Sequence, residues 1–125
     1  MNKYKILIAE DDVLLLKALG FYLEKKGYEL SLVPDGRDAI TKIKQNTYDL
    51  IVTDINMPFN NGMEIISLVR NEMKLKTPII VLTSMGLENT ELEAFHIGAD
   101  EFISKPFSPQ VLGIRIEKIL NGNKK

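Results

Sequence analysis

The sequence predicts a single α/β domain: a three-layer, doubly wound parallel sheet of five strands with five helices. Three observations carry that expectation. Short apolar runs rich in isoleucine, leucine and valine recur along the whole chain. Each is followed by a stretch of helical periodicity. Those stretches are long enough to serve as the crossovers that parallel neighbours require, and crossovers cover both sheet faces.

Residues 4–9 (YKILIA) read as a strand buried on both faces, ended abruptly by Glu10-Asp11-Asp12. From Asp12, an N-cap, the apolar positions Leu15, Leu16, Leu19, Tyr22 and Leu23 keep helical spacing until Lys25-Lys26-Gly27 closes the helix with positive charge and a glycine. The pattern repeats with a strand over 28–33, a helix from 35/36 to about 46, a strand over 50–53 and a helix from 61/62 to about 74. Thr77-Pro78 introduces IIVLT (79–83), a fourth helix covers about 87–97, 101–104 is a short strand, and Ser108-Pro109 opens a last helix to about 120. One domain is expected over 1–120, with 121–125 as a polar tail or the start of a linker.

At 125 residues, 45% hydrophobic and 26% charged, the chain has the composition of a globular domain with one core. Sixteen Lys+Arg against seventeen Asp+Glu leave a net charge of -1, so no bulk basic field is present to hold nucleic acid. The absence of cysteine excludes a disulfide scaffold and thiolate metal sites, and the single histidine excludes a multi-histidine cage, so any metal must be oxygen-ligated. The apolar stretch before Glu10 is too short for a signal peptide or a membrane span, and the expected compartment is the cytoplasm.

Chemistry collects at the strand ends. Glu10-Asp11 follow the first strand, Asp54 the third, Thr83-Ser84 the fourth and Lys105 the fifth. In a parallel sheet all carboxyl ends share one edge, where ligands bind, and the flavodoxin-like order 2-1-3-4-5 would set strand one beside strand three. Glu10, Asp11 and Asp54 would then share a pocket. Three neighbouring carboxylates either raise a pKa or take up a cation. Magnesium suits hard oxygen ligands and keeps positions open for phosphate oxygens. A carboxylate in that setting can attack a phosphoryl group and form an acyl phosphate, with Thr83 and Lys105 supplying hydroxyl and ammonium partners.

The segments ILIAEDD (6–12), IVTDINMP (51–58) with Gly62, IIVLTS (79–84) and GADEFISKPF (98–107), in that order, resemble a response-regulator receiver domain of two-component signalling, of the chemotaxis-regulator-like kind. The resemblance spans essentially the whole chain. It implies that Asp54 is the phosphoacceptor, that Glu10 and Asp11 hold Mg²⁺ together with Asp54 and the backbone carbonyl of Asn56, and that Thr83 and Lys105 bind the phosphoryl group. Phe102 is implied as the aromatic that changes rotamer, and Lys105-Pro106 as a cis peptide bond. The phosphoryl donor would be a phosphohistidine on a sensor kinase or phosphotransfer protein. The output would be an altered α4–β5–α5 surface (fourth helix, fifth strand, fifth helix) that controls an output domain or a protein target. Asn56 and Met85 stand where the family tunes phosphoryl lifetime. For a homodimer through the same surface, Arg115 and Asp100 match receivers of winged-helix transcription factors, whereas Glu93 sits where a base is frequent and His96 where an acid is.

Taken singly, these residues have plainer readings: Asp54 as a loop-entry turn residue, Glu10-Asp11-Asp12 as an acidic helix start, Lys105 as a solvated charge. Their coincidence at four strand ends favours the site. Leu92, Phe95 and Ile97 are expected mainly in the core, with part of that stripe open to a partner, and His96 is expected at the surface. Three rival functions fit the residues less well. A small Mg²⁺-dependent aspartyl-phosphate phosphatase lacks a second carboxylate in Asp54-Ile55-Asn56. A flavin carrier lacks a hydroxyl- or glycine-rich phosphate loop after the first strand. A phosphorylation-independent receiver-like binding module would have no need of the complete acidic set.

Overall fold

In a computed structural model, which describes residues 3–84 and 88–122 (side chains of 88–91 excepted), five apolar runs form the strands β1 (Lys5–Ala9), β2 (Glu29–Val33), β3 (Leu50–Asp54), β4 (Ile79–Ser84) and β5 (Glu101–Lys105). All pair in parallel, in the order β2-β1-β3-β4-β5. The helices are α1 (Val13–Lys25), α2 (Gly36–Gln45), α3 (Gly62–Ser67), α4 (Glu88–Ile97) and α5 (Pro109–Gly122). Strand alternation splits the core in two. Ile6, Ile8, Leu50, Val52, Ile80 and Leu82 face Leu16, Leu19 and Leu23 of α1 and Leu112 and Ile116 of α5. Leu7, Ala9, Ile51, Ile79 and Val81 face Ala39 and Ile43 of α2, Ile65 and Ile66 of α3, and Ala94 of α4. This is the expected three-layer sandwich.

The helix starts are fixed by short polar side chains. Asp12 accepts from the amides of Leu14 and Leu15 at 3.1 and 3.2 Å, Asp35 accepts from Asp38, and Asn61 and Glu64 form a reciprocal capping box. Gly27, at φ +95°, ends α1 in a conformation that favours glycine.

Two expectations are corrected. The helix from 61/62 to about 74 is α-helical only to Ser67 and continues as a π-helical turn over Leu68–Glu72, closed by Met73 N–H donating to the Leu68 carbonyl at 2.8 Å. The turn carries Arg70, whose guanidinium reaches the carbonyls of Gly98 and Leu75 and the carboxylate of Asp100. On α4, the fully buried contact is Ala94, with Ile97 packed beside it. At about 100° per residue, Leu92 and Phe95 turn outward, and they are 56% and 50% exposed instead of core.

The burial pattern of α1 yields a direct test. Leu19 is fully buried and Leu14 is 81% exposed. Leu19→Ala is expected to lower unfolding free energy by about 2–5 kcal/mol through cavity formation, and Leu14→Ala to change it by less than about 0.5 kcal/mol, both read from urea unfolding.

Candidate functional site

Parallel register brings the site together. Ala9 pairs with Thr53 and Asp54 with Leu82, so Glu10 and Asp54 leave the carboxyl ends of neighbouring strands, and Ser84 pairs with Lys105 on the far side of β4. Lys105 reaches back across β4: its Nζ lies 2.9 Å from Asp54 Oδ2, to which it donates a hydrogen bond, and 2.7 Å from Glu10 Oε1. Glu10, Asp11 and Asp54 each offer a carboxylate oxygen within 4.8 Å of the others. Glu10 and Asp54 are buried and Asp11 is exposed, so the cluster opens to solvent on one side. Asp12, the fourth acid of the segment, is engaged in capping α1.

Charge in this pocket is unbalanced. Burial is the largest influence on Glu10 and pushes its pKa up to about 7; Lys105 and the Asp12 amide act against that rise, and the charge of Asp54 adds to it. Burial works against the Lys105 ammonium too, but the adjacent Glu10 and Asp54 carboxylates outweigh it and hold the pKa above the ordinary lysine value. Glu10 Oε2 accepts the Asp12 amide at 2.9 Å, whereas the buried Oε1 touches the ammonium without an aligned hydrogen bond. A buried carboxylate oxygen with no aligned donor, beside two further carboxylates, is the donor set a hard divalent cation takes; the residues fit Mg²⁺.

The remaining sequence-predicted residues fall around this centre. Thr83 is fully buried at the end of β4, one residue beyond the register partner of Asp54, and among the described residues its hydroxyl donates only to the neighbouring Ser84 carbonyl at 3.3 Å. Asn56 is exposed in the loop that leaves β3, and Lys105-Pro106 is cis. Phe102 is half-buried on β5 and meets Phe95 of α4 edge to face, with ring centroids 4.4 Å apart. His96 is exposed. Met85 lies outside the described residues, as do 123–125 of the tail. Arg115 and Asp100 are both engaged within the chain, Arg115 by Glu101 and Asp100 by Arg70 and the Ile79 amide.

Several contributors escape sequence reading. Thr53 is buried and its hydroxyl bonds the Asp54 carbonyl at 2.9 Å. Gly62 packs on the same carbonyl, so closely that a β-carbon would overlap it, and its amide bonds the Ile55 carbonyl at 2.8 Å. The aspartate backbone is therefore braced on two sides. Only the glycine left a signal, in the motif following Asp54.

In the metal-free chain the raised Glu10 pKa sets a pH dependence. The folded state keeps a proton on Glu10 that the unfolded state releases near its ordinary value of about 4.5, so this contribution to stability is fully present below that pH and is lost as pH rises through about 7. Melting temperature in EDTA is expected to fall between about pH 5 and pH 8. Glu10→Gln should flatten that slope.

Residues 6–117 match the response regulator receiver domain family. The chain is 44% identical over 119 residues to transcriptional regulatory protein RprY of Bacteroides fragilis, covering 95% of this chain and 50% of the relative. It is 37% identical over 119 residues to transcriptional regulatory protein ResD of Bacillus subtilis, covering 95% and 49%. It thus spans about half the length of the curated relatives it matches. Among solved structures, the receiver domain of Francisella response regulator 1452 superposes with a TM-score of 0.89 at 30% identity, covering 98% of this chain and 100% of that one. Chemotaxis response regulator CheY4 of Vibrio cholerae superposes with a TM-score of 0.87 at 30% identity, covering 94% and 99%. The chain belongs to the response regulator receiver domain family of two-component systems.

Proposed function

We propose that this receiver domain is a phosphorylation-dependent switch whose acceptor is Asp54. The observation that carries the reading is the ammonium of Lys105 held between Glu10 and Asp54, with Asp11 at the solvent side. Such a group neutralises the nucleophile without occupying both its oxygens. Glu10, Asp11, Asp54 and the Asn56 carbonyl would hold Mg²⁺, which when bound neutralises charge on the incoming phosphoryl oxygens.

The chain's own residues supply the rest. One Asp54 carboxylate oxygen attacks phosphorus; the new oxygen–phosphorus bond forms as the phosphorus–nitrogen bond of a phosphohistidine breaks, and imidazole leaves. Lys105 follows the negative charge from the carboxylate to a phosphoryl oxygen. Thr83, whose hydroxyl has only a local carbonyl partner, turns to a second phosphoryl oxygen. Phe102 then occupies the space vacated, and its partner Phe95 transmits the change to the exposed face of α4. The donor is a histidine kinase or phosphotransfer protein, admitted beside a cleft of about 250 Å³ lined by Asp12, Leu15, Lys105, Pro106 and Phe107.

The α4–β5–α5 surface controls an output domain or a separate protein target, in keeping with relatives named as transcriptional regulators that are about twice this length. A homodimer through that surface would require Arg115 and Asp100 to exchange their partners within the chain. No described helix is long and apolar enough to cross a membrane, and a cytoplasmic setting suits a kinase-coupled switch. The chemistry is confined to the chain's own aspartate: Asn56 stands where an external-substrate phosphatase would need an acid/base carboxylate.

Asp54→Ala is expected to abolish labelling by a small acyl-phosphate donor with Mg²⁺ while unfolding stays cooperative; a variant that still labels sinks the assignment of the acceptor. Thr83→Ala should still label, yet lose the phosphorylation-induced shift of the Phe95 and Phe102 ring resonances in NMR spectra. A full shift in that variant would remove Thr83 from the switch.

A further inference from the structure

The loop between β3 and α3 carries the Asn56 carbonyl, and its far side rests on the start of α2. The Gly36 amide bonds the Pro58 carbonyl at 3.2 Å. A β-carbon at Gly36 would overlap the Asn60 carbonyl and lie 2.8 Å from Asn60 Cα, so glycine alone lets the two backbones approach this closely. Next to it, the Arg37 guanidinium carbon sits 4.0 Å from the centre of the Phe59 ring. Phe59 is 65% exposed and has φ +71°, a backbone conformation that a bulky side chain rarely adopts. An exposed aromatic gains nothing from burial there. The strained turn is closed across Phe59 by the Asn60 amide donating to the Pro58 carbonyl at 3.0 Å, and the cation over the ring is the side-chain contact that holds Phe59 in place.

The loop is pinned at two places, with Asn56 between them: Gly62 fixes the return to Asp54 and Ile55, and Gly36 with Arg37 fixes the outer turn. We propose that Arg37 is a positioning residue for the metal site, clamping Phe59 so that the loop presents the Asn56 carbonyl to a divalent cation. The inference rests on the Mg²⁺ reading given above. Its sign is diagnostic. A cation acting through charge alone repels Mg²⁺, so its removal would tighten binding, most of all at low salt. A positioning clamp behaves oppositely, because its removal lets the loop carbonyl wander.

Titration of the unmutated chain with MgCl₂ by calorimetry provides the test, with thermal unfolding in EDTA as a control for folding. Arg37→Ala is expected to weaken Mg²⁺ about two- to fivefold, the scale of an exposed cation–π contact. Arg37→Lys should recover part of the loss. Phe59→Leu should match Arg37→Ala, and the double variant should be no weaker than either single one, since both remove one contact. Gly36→Ala, which forces the loop to shift, should weaken Mg²⁺ by about tenfold or more. A merely structural role would lower the melting temperature in EDTA and leave the Mg²⁺ affinity alone. Unchanged or tighter binding in Arg37→Ala overturns the positioning role by itself. Absence of binding by the unmutated chain overturns the metal reading and this inference with it.

Discussion

Everything at the carboxyl edge of the sheet answers to one electrostatic constraint: two buried carboxylates on adjacent strands and a third at the rim have, among the described residues, a single ammonium to balance them. Lys105 stands within 2.9 Å of both buried acids but aligns a hydrogen bond to Asp54 alone. A lone cation cannot satisfy three anions in a medium of reduced dielectric, so the cluster is incomplete as a purely structural ion pair. It is held together because the strands bearing it are held together; their ladders pair β1 with β3, β3 with β4 and β4 with β5. The apolar core carries the energy of folding. The edge carries a residual charge deficit that only a further cation or a change of protonation can remove.

Much of this was legible in the sequence because it depends on chain-local patterns that the parallel sheet converts into proximity. Short apolar runs ending in Glu10, Asp54, Thr83 and Lys105 place those residues on one edge whenever every strand points the same way. What was illegible depends on packing distance and helix rotation. Helical spacing alone could not reveal that α4 approaches the sheet through Ala94, which swings Leu92 and Phe95 outward. Neither could it reveal that α3 widens into a π turn at Leu68, because that turn is stabilised by contacts from Arg70 to residues about thirty positions further on. The Arg37–Phe59 contact is equally silent, since nothing in either residue's neighbourhood in the chain points to the other.

The rotation of α4 changes how the site and the outer surface are joined. Had Phe95 been in the core, its movement would have required repacking of many neighbours. Exposed on one side and edge-on to Phe102 on the other, it is free to follow that ring with little disturbance of the core around Ala94. Meanwhile Arg70 binds the Gly98 carbonyl and the Asp100 carboxylate just beyond the end of α4, and Asp100 also accepts the Ile79 amide. The carboxyl end of the helix is therefore tied to the π-helical turn that follows α3 and to the start of β4.

A helix tied at one end can pivot about that end. In the proposed switch, Thr83 lies at the site end of the sheet, whereas Phe102 is the second residue of β5 and its ring partner Phe95 lies in the last turn of α4, close to the Arg70 contacts where β4 and β5 begin. On that reading a small displacement of Phe95 near the anchored end would become a larger one towards the amino end of α4, with Gly98, at φ +131°, as the glycine where the backbone leaves the helix. The same anchor engages one oxygen of the Asp100 carboxylate, with Arg70 and the Ile79 amide both donating to Oδ2, while the residue itself stays exposed.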